Sequence, residues 1–326
     1  MPDSETTPLN RSASDIKNQT SSNLTSGSPA SAWDYFELTR LHKFPTGTMV
    51  VFWPCAFGLV LSAFVNPISL VELAKLTFLF FIGSTLVHSA ACVINDICDR
   101  DFDRQVERTK NRPLARGAIG FTGANILLLS LLIPSIVLMV YAGPLAFYVG
   151  LFGIFPLHGL YPLMKRWTWW PQAWLGLAMN WGFPVAWITV TGYVDWKVVP
   201  VSLFGLWSWT LVYDTIYGCQ DKKDDVKAGV KSTSLLFGSY VRPILSVFAA
   251  FVVGSFLYVG IHNGHGLAYF IISVGGTAAH FAWQLGTLDV DDPTDCWKKF
   301  NSNGSLGCIM WAGMMLDYYL EIVNEA

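Results

Sequence analysis

Apolar stretches of about twenty residues recur down this chain, and each is long enough for a helix to cross the hydrocarbon of a bilayer. The window rule for membrane helices places nine of them, near 48–66, 73–94, 119–141, 143–160, 168–191, 198–219, 243–261, 266–286 and 305–322. The expected fold is therefore all-α, a multi-pass transmembrane helical bundle of about nine spans seated in a lipid bilayer. Pro134, Pro156 and Pro184 fall inside these spans, which membrane helices tolerate where neighbours satisfy the freed backbone groups. Net charge is −2, so no basic surface argues for nucleic acid. The six cysteines lack metal-ligand or extracellular spacing and read as reduced thiols.

Residues 1–35 read as a disordered N-terminal segment, Ser/Thr-rich and without apolar periodicity, and residues 36–326 as the transmembrane domain. The first thirty residues contain no signal-peptide apolar core. Asp3, Glu5 and Asp15 offset Arg11 and Lys17, unlike an Arg-rich, acid-poor mitochondrial presequence. All but Lys75 and Lys197 of the 21 lysines and arginines precede the first span or follow an even-numbered one. By the positive-inside rule the N-terminus and those loops face the cytosol.

Against this apolar background the stretch "NDICDRDFD", Asn95 to Asp103, stands out with four aspartates in eight residues, in a chain that is 13% charged. Carboxylates at a membrane edge are expensive and usually functional. On a helix continuing the second span, Asp96, Asp99 and Asp103 fall at i, i+3 and i+7 and share a face, whereas Asp101 points elsewhere. A second acidic stretch, "YDTIYGCQDKKDD", closes the sixth span and places Asp214, Asp221 and Asp225 at i, i+7 and i+11. Two carboxylate clusters facing each other from the same membrane side form a hard oxygen site suited to Mg²⁺, which favours one or two carboxylates with waters and substrate phosphates. Arg108, Arg112, Lys165, Lys222 and Lys231 surround these stretches and could pair with phosphate oxygens. Each could equally be a topology signal bridged to a nearby acid.

Together "NDICDRDFD" (NDxxDxxxD), "DKKDD" (DxxxD) and "YPLMK" (YxxxK) resemble the UbiA superfamily of intramembrane prenyltransferases. The longer runs "CVINDICDRDFDRQVERTKNRPLARG", "YDTIYGCQDKKDDVKAGVKSTSLLFG" and "WQLGTLDVDDPTDCWKKFNSN" are similar to its 4-hydroxybenzoate polyprenyltransferase branch. The likeness extends from about residue 38 to the end. It implies that Asp96, Asp99, Asp103, Asp221 and Asp225 bind Mg²⁺ and diphosphate with Asn95 in support, and that Tyr161 and Lys165 lie near the phosphates. Asp214 belongs to the branch's "YDTIY" run. Arg40, in "RLHKFPTGT", sits where relatives carry an arginine associated with the aromatic acid. Phe44 intervenes before Pro45, where relatives commonly read Lys/Arg-Pro directly.

The resemblance implies Mg²⁺-dependent transfer of a prenyl group, farnesyl being the expected one, from a prenyl diphosphate to an aromatic acid. Mg²⁺ and the basic groups would stabilise the departing diphosphate, and the bundle would keep the allylic cation from water. Asp214 is a candidate base for the ring proton, or equally a structural hydrogen-bonding residue. The acidic N-terminus favours a specialised fungal-type pathway acting on an orsellinic-type phenolic acid, in the endoplasmic reticulum or another endomembrane, over mitochondrial ubiquinone assembly. The alternative of another class is a membrane transporter, which needs polar groups through both halves of the bundle.

Overall fold

The computed structural model describes residues 30–325, in which every regular element is a helix, with no strand among them. The segment expected to be disordered lies mostly outside the described residues, but its end does not. Helix α1 (Ala32–Leu38) starts there because Ser31 caps it, its hydroxyl accepting from the Asp34 N–H while the Asp34 carboxylate accepts from the Ser31 N–H at 2.8 Å. That reciprocal pair is a capping box, which satisfies two otherwise orphaned donors.

The bundle then runs through α2 (Thr48–Val65), α3 (Leu70–Asp103), α4 (Phe121–Val140) and α5 (Pro144–Trp167). It continues through α6 (Pro171–Asn180), α7 (Gly182–Thr191) and α8 (Val199–Gly218) to two short helices, α9 (Lys222–Ala228) and α10 (Thr233–Leu236). Helices α11 (Val241–Asn263), α12 (Gly276–Gly286) and α13 (Pro293–Glu325) complete it. Six of these, α2, α3, α4, α5, α11 and α13, are long and apolar enough to cross a membrane.

The other three expected spans fall on helical chain that is shorter or less apolar. The window 168–191 is two helices, broken where the buried Asn180 amide turns to the Gly176 and Leu206 carbonyls and the Thr210 hydroxyl. Pro184 thus sits in the first turn of α7, where a missing N–H costs nothing. The window 266–286 is split between a π-helical turn (Tyr269–Gly275) and α12. Helix α8 is diluted by Trp, Ser and Asp214, because much of it faces protein and not lipid.

Burial separates the centre of the bundle from its lipid face. The apolar window of α2 is 83% buried and that of α4 only 17%, so α2 is the central post and α4 lies on the outside. Helix α2 packs on α7, α3 and α13, and α8 packs on α11, α6 and α13. Between apolar helices in lipid, close packing comes from small residues. A Cβ on Gly58 would stand 2.6 Å from the Phe183 carbonyl oxygen, and one on Gly307 would strike the Trp53 indole. These contacts fix α2 against α7 and α13.

Two irregular segments shape the interior. Pro156 lies in a π-helical turn, Gly153–His158, inside α5, and such single-turn expansions often mark functional sites. Helix α8 ends by tightening into a 3₁₀ turn, Cys219–Asp221, before α9 begins. All six cysteines are unpaired.

Candidate active site

Helix α3 runs unbroken beyond its apolar part, so the spacing of its aspartates becomes a shared face. Asp96, Asp99 and Asp103 are 1%, 8% and 7% exposed, whereas the Asp101 side chain is 67% exposed. The second acidic stretch is not one continuous helix, because the 3₁₀ turn reorients the chain between Asp214 and Asp225. Even so, Asp214, Asp221 and Asp225 reach the same cavity as Asp99 and Asp103.

The two stretches are joined directly. Residues 104–119 fold back on themselves, with Arg104 Nε donating to the Ala115 carbonyl at 2.7 Å and the Thr109 hydroxyl to the Asp103 carbonyl at 3.0 Å. From this loop Arg108 forks onto Asp221 at 2.8 and 2.7 Å and donates to the Tyr217 hydroxyl at 3.0 Å. Arg112 Nη1 bonds Asp96 at 3.0 Å and Asp103 at 2.9 Å. From α5, Lys165 and Arg166 approach Asp99 at 4.0 and 3.4 Å.

The enclosed space is a cavity of about 320 Å³. Of the residues singled out in the sequence, Asp99, Asp103, Arg108, Arg112, Tyr161, Lys165, Asp214, Asp221, Asp225 and Lys231 line it. The side chains of Arg108 and Arg166 are 38% and 40% exposed, so its rim reaches the end of the bundle. Four expected residues lie off the wall. Asp96 sits behind it, bonded through both oxygens to Arg40 Nη2 at 2.8 Å. Asn95 is beside Asp96 on α3, and its side-chain oxygen is buried without a partner among the described residues. Lys222 turns away, toward the Val290 carbonyl at 3.5 Å and Asp291 at 4.0 Å, because the 3₁₀ turn points it at the loop before α13.

Charge in the cavity is unevenly compensated. Arg108 is held above its ordinary range: burial opposes its charge, but Tyr217 and Asp221 outweigh that cost. The Asp225 carboxyl is pushed up to about 6 by burial first and by neighbouring Asp221 second, against the pull of Lys165 and Arg108. Neither Asp214 nor Asp225 makes an ion pair among the described residues. No three carboxylate, imidazole or thiol groups among those residues converge closely enough to hold an ion by themselves. Oxygen donors divided between facing helices, with Asp225 short of compensating charge, fit a Mg²⁺ ion whose shell is completed by phosphate oxygens.

Deeper in the bundle α3, α5 and α6, joined by α2, α4 and α7, enclose an apolar chamber of about 120 Å³. Gly83, Ser84 and Val87 of α3, Gly153 and His158 of α5 and Ala178 of α6 line it. His158 lies one turn before Tyr161, so chamber and cavity stack along α5. Leu79 and Tyr141, 40% and 79% exposed, bring the chamber to the outer surface of the bundle.

Residues 51–311 match the UbiA prenyltransferase family. The chain belongs to that family. It is 50% identical over 285 residues to the UbiA prenyltransferase claS of Ampulloclitocybe clavipes, covering 87% of this chain and 90% of that protein. Against the mitochondrial 4-hydroxybenzoate polyprenyltransferase of Caenorhabditis elegans it is 38% identical over 306 residues, 94% of this chain and 84% of that one. The fold is shared with a UbiA homolog from Aeropyrum pernix K1 at a TM-score of 0.71 and 21% identity, over 83% of this chain and 97% of that one. A UbiA homolog from Archaeoglobus fulgidus bound to GPP and Mg²⁺ aligns at 0.65 and 19% identity, over 88% and 99%.

Several wall residues of this UbiA prenyltransferase escaped the sequence reading. Tyr217 lies one turn beyond Asp214 and one before Asp221, so helical spacing alone could have found it. Arg166 adjoins Lys165 and bonds the Cys98 carbonyl at 3.0 Å. Gln172 accepts from the Thr233 N–H at 3.0 Å, pinning the chain that follows the second acidic stretch. No spacing rule connects those two residues.

Proposed function

We propose that this prenyltransferase moves a farnesyl group from its diphosphate to an orsellinic-type phenolic acid, with Mg²⁺, at the cytosolic face of an endomembrane. The observation that carries this reading is the closure of the two acidic stretches on one cavity through Arg108 and Asp221, directly above an apolar chamber. The identity to claS favours a specialised pathway, and the GPP and Mg²⁺ held by the Archaeoglobus homolog favour a prenyl diphosphate donor.

Asp99, Asp103, Asp221 and Asp225 would hold Mg²⁺, which when bound supplies Lewis-acid stabilisation of charge on the departing diphosphate. Arg108, Arg112, Lys165 and Arg166 bind phosphate oxygens, for which guanidinium and ammonium groups are the usual partners. The prenyl tail lies in the chamber. The allylic carbon–oxygen bond breaks with its electron pair leaving on diphosphate, and the apolar walls keep water from the resulting cation. Electrons of the phenolic ring form the new carbon–carbon bond. The ring proton then leaves to Asp214, which faces the cavity without an ion pair among the described residues, or to the released diphosphate.

The test is incubation of membranes containing the protein with Mg²⁺, prenyl diphosphates of several lengths and a panel of phenolic acids, followed by product mass. A farnesylated orsellinic-type acid is expected. Prenylation of 4-hydroxybenzoate by longer donors, with a mitochondrial fluorescent fusion, would favour the role named for the Caenorhabditis elegans relative. Solute movement across vesicles with no diphosphate release from any donor would replace the enzyme by a transporter.

A further inference from the structure

We propose that Asp96 is a positioning residue and not a metal ligand: it fixes the Arg112 guanidinium at the diphosphate cavity and ties the N-terminal segment to it. The proposal rests on the diphosphate reading above. Asp96 shares a helical face with Asp99 and Asp103, so sequence spacing groups all three as ligands. Geometry separates them, because Asp99 and Asp103 line the cavity and Asp96 does not.

Both Asp96 oxygens are held by guanidinium groups, as are those of Asp221, but Asp221 opens on the cavity whereas Asp96 is sealed behind its wall. Arg40 Nη2 bonds Oδ1 and Oδ2 at 2.8 Å each, and Arg112 Nη1 bonds Oδ1 at 3.0 Å. The Asp96 side chain is 1% exposed, and those of Arg40 and Arg112 are 14% and 21% exposed. Drawing Asp96 onto a metal ion would strip a buried arginine of its carboxylate, and an unpaired buried charge is strongly unfavourable. A guanidinium carries five donors in a fixed fork. Arg112 uses Nη1 for Asp96 and Asp103, which leaves further N–H groups for phosphate.

Arg40 brings the second half of the device. It stands just beyond α1 with φ of 64°, a left-handed conformation uncommon outside glycine, and its Nη1 also donates to the Glu37 carbonyl at 3.1 Å. Asp96 therefore links the segment that enters α2 to the arginine that faces the phosphates. Loss of the Asp96 charge leaves Arg40 without its carboxylate and Arg112 held by Asp103 alone.

The experiment uses the full chain in membranes and as purified protein, comparing Asp96→Asn with Asp99→Asn. Inorganic pyrophosphate binding with Mg²⁺ is measured by calorimetry, and KM, kcat and the Mg²⁺ concentration for half-maximal turnover are measured with a prenyl diphosphate. Asp96→Asn is expected to weaken pyrophosphate binding and raise donor KM about tenfold, the scale of one charge-assisted hydrogen bond, with the Mg²⁺ midpoint unchanged. Asp99→Asn is expected to move that midpoint. In an Arg112→Lys background Asp96→Asn should add little further loss, because contacting residues are non-additive. A Mg²⁺ midpoint displaced by Asp96→Asn as far as by Asp99→Asn would make Asp96 a ligand, and unchanged pyrophosphate binding would deny it any positioning role. If the unsubstituted protein bound no pyrophosphate with Mg²⁺, the diphosphate reading would fall and take this proposal with it.

Discussion

The polar cavity and the apolar chamber share α3, α5 and α6, yet are built by opposite means. The cavity is made by side chains that are present: acids from α3, α8 and the chain after α8 meet bases from the loop after α3 and from α5. The chamber owes its space to side chains that are missing. Gly150, Gly153 and Gly182 admit Met139, Trp181 and Cys55 at distances a Cβ would forbid, and a Cβ on Gly83 would meet nothing within 4 Å. One region would thus set whether reaction occurs, and the other which donor is accepted.

That division is easiest to break at the charged end. Asp99→Ala and Asp221→Ala are each expected to lower diphosphate release by 10²–10³ or so, the scale for losing one electrostatic group at a reacting centre. Both should still insert in the membrane. Retained turnover in both would remove the cavity from the chemistry. Gly83→Leu should act the other way, because a Cβ there meets nothing within 4 Å and the side chain beyond it takes up chamber space. Products from short donors should persist while longer donors lose roughly 10- to 100-fold in kcat/KM, a typical range for pocket-size discrimination. Equal loss for all lengths would show that the tail does not lie there.

A pH–rate profile tests the cavity from within. The Asp225 carboxyl, raised to about 6, is charged above that pH and protonated below it. If its charged form holds Mg²⁺, proton and cation compete for it, so turnover at limiting Mg²⁺ should fall about tenfold per pH unit well below 6, and added Mg²⁺ should move that limb to lower pH. Asp225→Asn should lower the plateau and abolish that limb, whereas a limb that survives assigns it to another group. The smallest effect is expected from Ser31→Ala, which removes the cap of α1 and weakens that helix by about 1 kcal/mol. Hydrogen exchange in α1 should report it, with donor-length preference unchanged.

The contrast between the two regions also explains what the sequence disclosed. Six of the nine expected span positions were legible because apolar length is a local property, and the α3 aspartates because spacing on one helix is local too. The pairing of Arg40 with Asp96 spans 56 positions, and nothing local distinguishes a ligand from a carboxylate held by arginines. The direction of Lys222 depended on a 3₁₀ turn that helical extrapolation passed over. The chamber left no motif, because its glycines acquire meaning only from the side chains that lean over them. The break at Asn180 followed from three acceptors, two of them on α8.

The two openings give the reaction two drains. On the proposed reading, diphosphate would leave through the arginine rim into water, and the alkylated ring, carrying a greasy tail, would slip sideways past the exposed Leu79 and Tyr141 into lipid. Partition between phases then separates the products, so turnover in intact membranes should be less prone to product inhibition than in detergent micelles, where both remain in one small volume.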